Sequence, residues 1–354
     1  MSYLVRVRER LDALDRNGCR RAIRPPSDAI DFSSNDYLGL SREPAVLAAA
    51  APQHVVGSGG SRLLAGAHDD HAQLECELAA FLGRERALLF SSGYLAALGV
   101  IQGAALVTRA AYSDRENHAC IIDALRLSSL ERHIYDDVPP GARHETATIV
   151  SESVFSMSGR TVELDRLLAR VGPDDLLLLD EAHAIGVDGP HGAGIAAGAR
   201  DPRIVVMGTL SKSFGCAGGF VAGPTAFIDL LISTARSFIF DTSLPPSLAR
   251  AARVALRLIR DGDARRARLT EHVRRLRNAH PQLTARGPIV AILFGSLAET
   301  IAASNSLLAR GIIAPAIRPP TVPVGNERLR VTLRADHADS DIDRLIAGLH
   351  EVLT

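Results

Sequence analysis

Short apolar runs without polar alternation punctuate the middle of the chain: ALLF (87–90), ATIV (147–150), LLLLD (176–180), IVVMG (204–208) and GFVAG (219–223). Runs this short, with no polar partner on either side of the pleat, read as strands buried on both faces. Between them, SGYLAALGVIQGAAL (92–106) and TVELDRLLARVG (161–172) repeat apolar residues at helical spacing. Buried strands alternating with helices predict an α/β fold with a mostly parallel central sheet. After residue 240 the pattern changes. SLPPSLARAARVALRLIRDGDARRARLTEHVRRLRNAH (243–280) is an Arg-studded helical region broken near Gly262, whose basic face reads as solvated surface. Two shorter strand candidates follow, IVAILFG (289–295) and RLRVTL (328–333), and then a helix over 339–353 opened by Asp and Ser caps. The expected organisation is an N-terminal helix and connector (1–39), a large α/β domain (40–240) and a smaller C-terminal α+β domain (241–354).

Composition narrows the partners. With 354 residues, 47% of them apolar, the chain can bury more than one compact core. Its 40 basic and 40 acidic side chains balance, which argues against nucleic acid, since phosphate-backbone binders carry a basic excess. Cys19, Cys76, Cys120 and Cys216 are widely spaced and form no CxxC pair, so no metal site is expected and reduced thiols in the cytoplasm are. The start, MSYLVRVRERLDALDR, mixes charge with apolar residues and lacks the hydrophobic region of a signal peptide. No uninterrupted apolar stretch is long enough for a membrane span.

Chemistry concentrates where the predicted strands end, which is where open α/β sheets bind ligands. LLFSSGY runs from a strand through Ser91, Ser92, Gly93 and Tyr94 into a helix, and free N–H groups at a helix start suit a phosphate. LLLLDEAH closes a buried strand with Asp180, a carboxylate that needs a cation or a donor. SESVFSMSG places Glu152, Ser153 and Ser156 after another strand. GTLSKSFGCAGGF sets Lys212 among small and hydroxyl residues just past a strand end, with Thr209 ahead of it. A lysine there suits a covalent bond to a carbonyl cofactor. Together the parts describe a pyridoxal 5'-phosphate site. Lys212 holds the aldehyde, Asp180 keeps the pyridine nitrogen protonated, hydroxyls and N–H groups hold the phosphate, and His118 covers the ring. The rival reading of DEAH as an ATPase box fails. GTLSKS lacks the glycine that a phosphate-binding loop sets before its lysine, and it falls after DEAH instead of before it.

DFSSNDYLGLS, GSGGSRLLAG, LLFSSGY, VFSMSG, DEAHAIGVDGPHGAG and TLSKSFGCAGG as a set resemble the α-oxoamine synthases, pyridoxal phosphate enzymes of aspartate-aminotransferase fold. The resemblance runs from about residue 30 to the end. It implies Lys212 as the Schiff-base lysine, Asp180 as the partner of the pyridine nitrogen and His183 as donor to the cofactor's phenolic oxygen. Ser92, Gly93, Tyr94, Glu152, Ser156 and Thr209 would contact the cofactor, with His118 stacked on its ring and near the substrate. For substrate it implies Thr321, Arg21 (or its neighbour Arg20) on the acyl side, and an arginine pairing with the amino-acid carboxylate. Arg330 is the first choice for that arginine, Arg318 the second, and Asn35 a helper. Ala97 and Ser158 stand where the family usually carries an asparagine and an acidic residue, and AIRPPSDAIDFSSN (22–35) is shorter than the family's segment, so the hairpin before it is expected to be trimmed.

The implied activity is a decarboxylative condensation of an amino acid with an acyl thioester. The segment AIRPPTVPVGNERLRVTL resembles the member that joins L-alanine to pimeloyl-CoA or the pimeloyl acyl carrier protein. A homodimer is implied, with GSGGSR (57–62) reaching the partner's cofactor. A sister enzyme using glycine or serine, and a non-catalytic protein retaining the fold, remain the alternatives.

Overall fold

The apolar runs do form the buried strands. The computed structural model describes residues 2–23, 27–52, 54–141, 146–283 and 286–353, so part of the segment expected to be shortened, residues 24–26, lies outside the described residues. In chain order the first strands are β1 (Ile30–Asp31), β2 (Arg86–Phe90), β3 (Ala110–Asp114), β4 (Glu131–Tyr135), β5 (Ala147–Glu152) and β6 (Leu176–Asp180). They are followed by β7 (Ile204–Thr209), β8 (Gly219–Gly223), β9 (Ile289–Leu293), β10 (Ile312–Ile313), β11 (Ala316–Ile317) and β12 (Arg328–Thr332).

Two compact units result. The larger comprises Asn35–Glu271 with Arg334–Asp336; the smaller comprises Met1–Ser34, His272–Leu333 and His337–Thr354. The boundary expected at 240/241 therefore falls at 271/272. The cause is the helix Pro246–Arg260, which buries Ala249, Ala252, Ala255, Leu256 and Ile259 and packs against the helices Pro44–Ala50 and Asp69–Leu82 of the large unit. Two of its arginines are not solvated. Arg250 pairs with Asp70 at 2.9 Å and Arg253 with Glu77 at 2.7 Å, each arginine side chain about four-fifths buried.

The large unit is built on a sheet of order β2-β8-β7-β6-β5-β3-β4. Neighbours are parallel throughout except β8, which runs against both β2 and β7. Burial explains the composition: β5, β6, β7 and β8 are buried at nearly every position, as Val- and Leu-rich strands covered on both faces must be. The helix Gly93–Ala104 lies on one face and is itself almost wholly apolar, burying Ala96, Ala97, Val100, Ile101 and Ala104. These join Leu88, Val150, Leu178, Val205 and Val221 in one core cluster. The parallel strands β5, β6 and β7 thus end together at one carboxyl edge, where ligands bind in such sheets.

In the smaller unit β11, β12 and β9 form an antiparallel sheet in that order, and β1 pairs with β10 in parallel. The helix Leu297–Ala309 starts at Ser296, whose hydroxyl accepts from the Glu299 N–H at 3.2 Å. The helix Asp339–Leu353 buries Ile342, Leu345 and Leu349. Among the described residues no helix is long and apolar enough to cross a membrane.

Candidate active site

A cavity of about 230 Å³ opens at the carboxyl edge of the large sheet. Register builds its floor. Glu152 ends β5 directly opposite Asp180 at the end of β6, and Asp180 stands opposite Met207 of β7. Two residues beyond Met207 comes Thr209, paired with Gly219 of β8, which is itself paired with Phe90 at the end of β2. The ends of four strands thus bring together Glu152, Asp180, Thr209 and, one turn on from Phe90, Ser92 and Gly93. All five line the cavity with Tyr94, His118 and Lys212.

Each wall has a local cause. Ser92 is extended and caps the helix Gly93–Ala104, its Oγ accepting from the Leu95 N–H at 3.2 Å. A Cβ on Gly93 would sit 3.2 Å from Thr209 Cβ, so the absence of a side chain lets that turn lie against β7. Tyr94 Oη donates to Asp123 at 2.6 Å. After β7 the chain forms a closed loop. Leu210 N–H donates to Gly218 O, Cys216 N–H to Leu210 O and Gly215 N–H to Lys212 O, which anchors the backbone that carries Lys212. Thr209 Oγ1 lies 2.8 Å from Ser211 Oγ and donates to Gly218 O at 3.0 Å.

Asp180 is buried and its Oδ1 accepts from the Ala182 N–H at 2.9 Å. His118 caps the helix Ala119–Leu127, and its Nδ1 accepts from the Cys120 N–H at 3.2 Å, with the Cys120 thiol 3.0 Å away. Nδ1 is thereby an acceptor, which puts the proton of the neutral ring on Nε2. Loss of surrounding water lowers the His118 pKa and Lys212 lowers it further, against the pull of Asp180. Burial raises the Cys120 thiol far above its ordinary value, so it stays a neutral thiol. Burial, then the charge of Asp180, raises Glu152 well above the carboxylate range.

His183 and Ser156 are buried but do not line the cavity. His183 Nδ1 is 2.5 Å from Tyr37 Oη, and Tyr37 Oη lies 3.3 Å from Asn35 Oδ1, so Asn35, Tyr37 and His183 form one chain. Tyr37 was invisible in the sequence reading. Its only signal is its place two residues after Asn35 in NDYLGL, and its partner is 146 residues away. Cys120, Ala182 and Ser211 line the cavity without having been singled out as site residues; the small Ala182 between Asp180 and His183 keeps the space open.

The residues expected to meet substrate belong to the smaller unit, apart from Asn35 and His118. Three of them come together: Arg21 donates to Thr321 Oγ1 at 2.9 Å, and Arg318 donates to the Arg20 carbonyl at 2.8 Å. Arg20 itself is engaged with Asp15 at 2.6 Å, which leaves Arg21 as the arginine on Thr321. Arg330 is apart from them in β12, buried, with its guanidinium donating to Thr332 at 2.9 Å. The GSGGSR stretch does not line this cavity. It is tied down by Ser58 donating to Ser243 O at 2.8 Å and by the Arg62–Glu75 ion pair.

The donor set fits pyridoxal 5'-phosphate. The cavity offers one amine, a buried carboxylate that calls for a cation, and a helix start with hydroxyls at Ser92, Thr209 and Ser211. Glu152 Oε1 is buried there with no partner among the described residues. Among the described residues no cluster of His, Cys, Asp or Glu is arranged to hold a metal ion.

Comparison with known proteins agrees with this geometry. Residues 27–349 match the family model for aminotransferase class I and II. The 8-amino-7-oxononanoate synthase of Acidithiobacillus ferrooxidans is 45% identical over 347 residues, covering 92% of this chain and 88% of that protein. Among solved structures, a serine palmitoyltransferase from S. paucimobilis with a bound PLP–myriocin aldimine superposes with a TM-score of 0.88 at 26% identity, covering 98% of this chain and 96% of the other. The 8-amino-7-oxononanoate synthase of Francisella tularensis gives a TM-score of 0.76 at 28% identity, with 92% and 96% covered.

Proposed function

The chain belongs to the class I and II aminotransferase family, among the 8-amino-7-oxononanoate synthases, and we propose that it joins L-alanine to a pimeloyl thioester, releasing carbon dioxide and the thiol, as a step of biotin biosynthesis. The observation that carries this reading is the convergence of Lys212, Asp180 and the Ser92–Gly93 helix start on one cavity, in a chain 45% identical to a synthase of that name. Bound pyridoxal phosphate supplies an aldehyde that links amines covalently and a ring that draws electrons from the substrate's α-carbon.

The protein's own groups do the rest. Lys212 Nζ would hold the cofactor's aldehyde and, as a free amine, would be the base that takes the substrate's α-proton. Asp180, whose Oδ1 accepts from the Ala182 N–H, would hold the pyridine N–H. N–H groups at the start of the helix Gly93–Ala104, with the hydroxyl of Ser211, would hold the phosphate, and Thr209, whose own hydroxyl is bound to Gly218 O, would line the cofactor. His118 donates through Nε2 to the thioester oxygen as negative charge develops there. His183, oriented by Tyr37, serves the phenolic oxygen, with Ser156 nearby in the cofactor shell. Arg330, with Asn35, takes the amino-acid carboxylate, while Arg21, Thr321 and Arg318 take the acyl substrate by charge-assisted hydrogen bonds.

The enzyme works as a homodimer in the cytoplasm, GSGGSR meeting the partner's cofactor. Four cysteines without a disulfide are consistent with that compartment. An active monomer in sedimentation contradicts the dimer.

A sister reading has one observation in its favour, the higher TM-score to the serine palmitoyltransferase. Sequence weighs the other way, 45% against 26% identity. Thiol release measured over a panel of amino acids and acyl thioesters separates the two. L-alanine with pimeloyl-CoA or the pimeloyl carrier protein should be fastest; preference for glycine or serine with another acyl group overturns the assignment.

A further inference from the structure

We propose that Glu152 is a neutral carboxylic acid in the folded protein and presents an O–H at Oε1 as a hydrogen-bond donor inside the cavity. Three observations carry this. First, Glu152 and Asp180 are directly opposed on the adjacent parallel strands β5 and β6. Opposed residues project to the same face of a sheet whose strands are about 4.8 Å apart. Both are buried, Glu152 with 1% and Asp180 with 8% of its surface exposed. Two carboxyl groups so placed do not both ionise.

Second, the hydrogen bonds distinguish the two acids. Asp180 Oδ1 accepts from the Ala182 N–H. The Glu152 carboxyl accepts from the backbone N–H groups of His118 and Ser156, yet its Oε1 has no partner among the described residues. A neutral acid matches that pattern: its carbonyl oxygen takes the two N–H groups and its hydroxyl oxygen is left to donate. A buried anionic oxygen with no donor is the costlier alternative.

Third, the charged and titratable groups around it leave the balance unchanged. Lining the same cavity are Asp180 from β6, Lys212 after β7, His118 and Cys120 at the start of the helix Ala119–Leu127, and Tyr94 on the helix Gly93–Ala104. Burial and Asp180 raise the Glu152 pKa, and the opposing pull of Lys212 and the two N–H groups is smaller.

A neutral O–H complements an anionic oxygen, and the phenolate oxygen of pyridoxal phosphate is one. That assignment of the acceptor rests on the proposed function; the protonation state does not. Infrared difference spectra between wild type and Glu152→Gln, with and without cofactor near neutral pH, test it. The wild type should show the carbonyl stretch of a protonated acid that the variant lacks, and cofactor should shift it. Because Gln keeps both a carbonyl and a donor, its affinity for pyridoxal phosphate should stay within about threefold of wild type, whereas Glu152→Met should bind at least about tenfold more weakly. If Glu152→Gln does not fold, the spectrum of wild type against Glu152→Met carries the same test. A difference spectrum showing only carboxylate bands, or Gln binding as poorly as Met, overturns the proposal. Failure to turn over alanine and pimeloyl thioester would instead end the proposed function and leave the infrared band in place.

Discussion

Gly219 tests how the cofactor cradle is built. It lies in β8 between Phe90 of β2 and Thr209 of β7, and an added Cβ would come to 2.4 Å from Ser92 O and 2.5 Å from Gly93 N. Both atoms are backbone, so no side-chain rotation relieves the contact. The Ser92–Gly93 turn must retreat by roughly 1 Å to restore ordinary van der Waals separation. Adding a methyl to a packed site costs about 1–3 kcal/mol. Because the displaced atoms carry the N–H groups assigned to the phosphate, most of that cost should fall on cofactor binding. At 1.4 kcal/mol per tenfold, Gly219→Ala should weaken binding by roughly 5- to 100-fold. Fluorescence titration of cofactor-free protein with pyridoxal phosphate measures it, and thermal scans of the cofactor-free variant report how much of the cost the fold absorbs. Gly287→Ala is the control, since nothing lies within 4 Å of its added Cβ. Binding by Gly219→Ala within about threefold of wild type would refute the reasoning, because the turn would then have moved without carrying the phosphate donors with it.

Other expectations follow from the same geometry. Asp180→Asn should fold normally but slow exchange of the alanine α-proton by at least about 10²-fold, read by NMR in deuterated buffer, because the ring nitrogen loses its ionic partner; exchange at the wild-type rate removes that role from Asp180. Burial raises the Asp188 pKa to about 6. An acid with a folded pKa above its unfolded value stabilises below the unfolded pKa and loses that contribution as pH rises through the folded one. Stability should therefore fall between about pH 4 and pH 6 through this group. Asp188→Asn should flatten that slope and raise stability near pH 8 by about 1–2 kcal/mol, a range reduced because the side chain is only half-buried; an unchanged slope in denaturant titrations counts against it. Arg21→Ala should raise KM for the acyl thioester with less effect on kcat, since the guanidinium on Thr321 is assigned to a part of the substrate remote from the bond being made; an unaltered KM separates Arg21 from the acyl substrate.

What could be read in advance follows burial. β5 to β8 announced themselves as apolar runs because both their faces are covered. β3, AAYSD, is built from small and polar residues, and the edge strand β4 leaves most of ERHIY in solvent, so neither has the pattern of a buried strand. The helix expected over 161–172 shrinks to Leu164–Leu168, because Thr161 is held extended in a bridge to Val154. Lys212, Asp180 and Glu152 were legible because each follows an apolar run to the same sheet edge. Tyr37 was not, because its hydrogen bond to His183 depends on a fold that joins distant segments. The domain boundary was misplaced for a similar reason: the arginines of the helix Pro246–Arg260 suggested water, and only the ion pairs to Asp70 and Glu77 show them packed.

The central claim is that a single amine, that of Lys212, holds the cofactor. Borohydride reduction of the cofactor-loaded protein followed by peptide mapping should place a pyridoxyl group on Lys212 and nowhere else, and Lys212→Ala should be unlabelled and inactive. An unmodified Lys212 peptide, or a pyridoxyl group on another side chain, would contradict it.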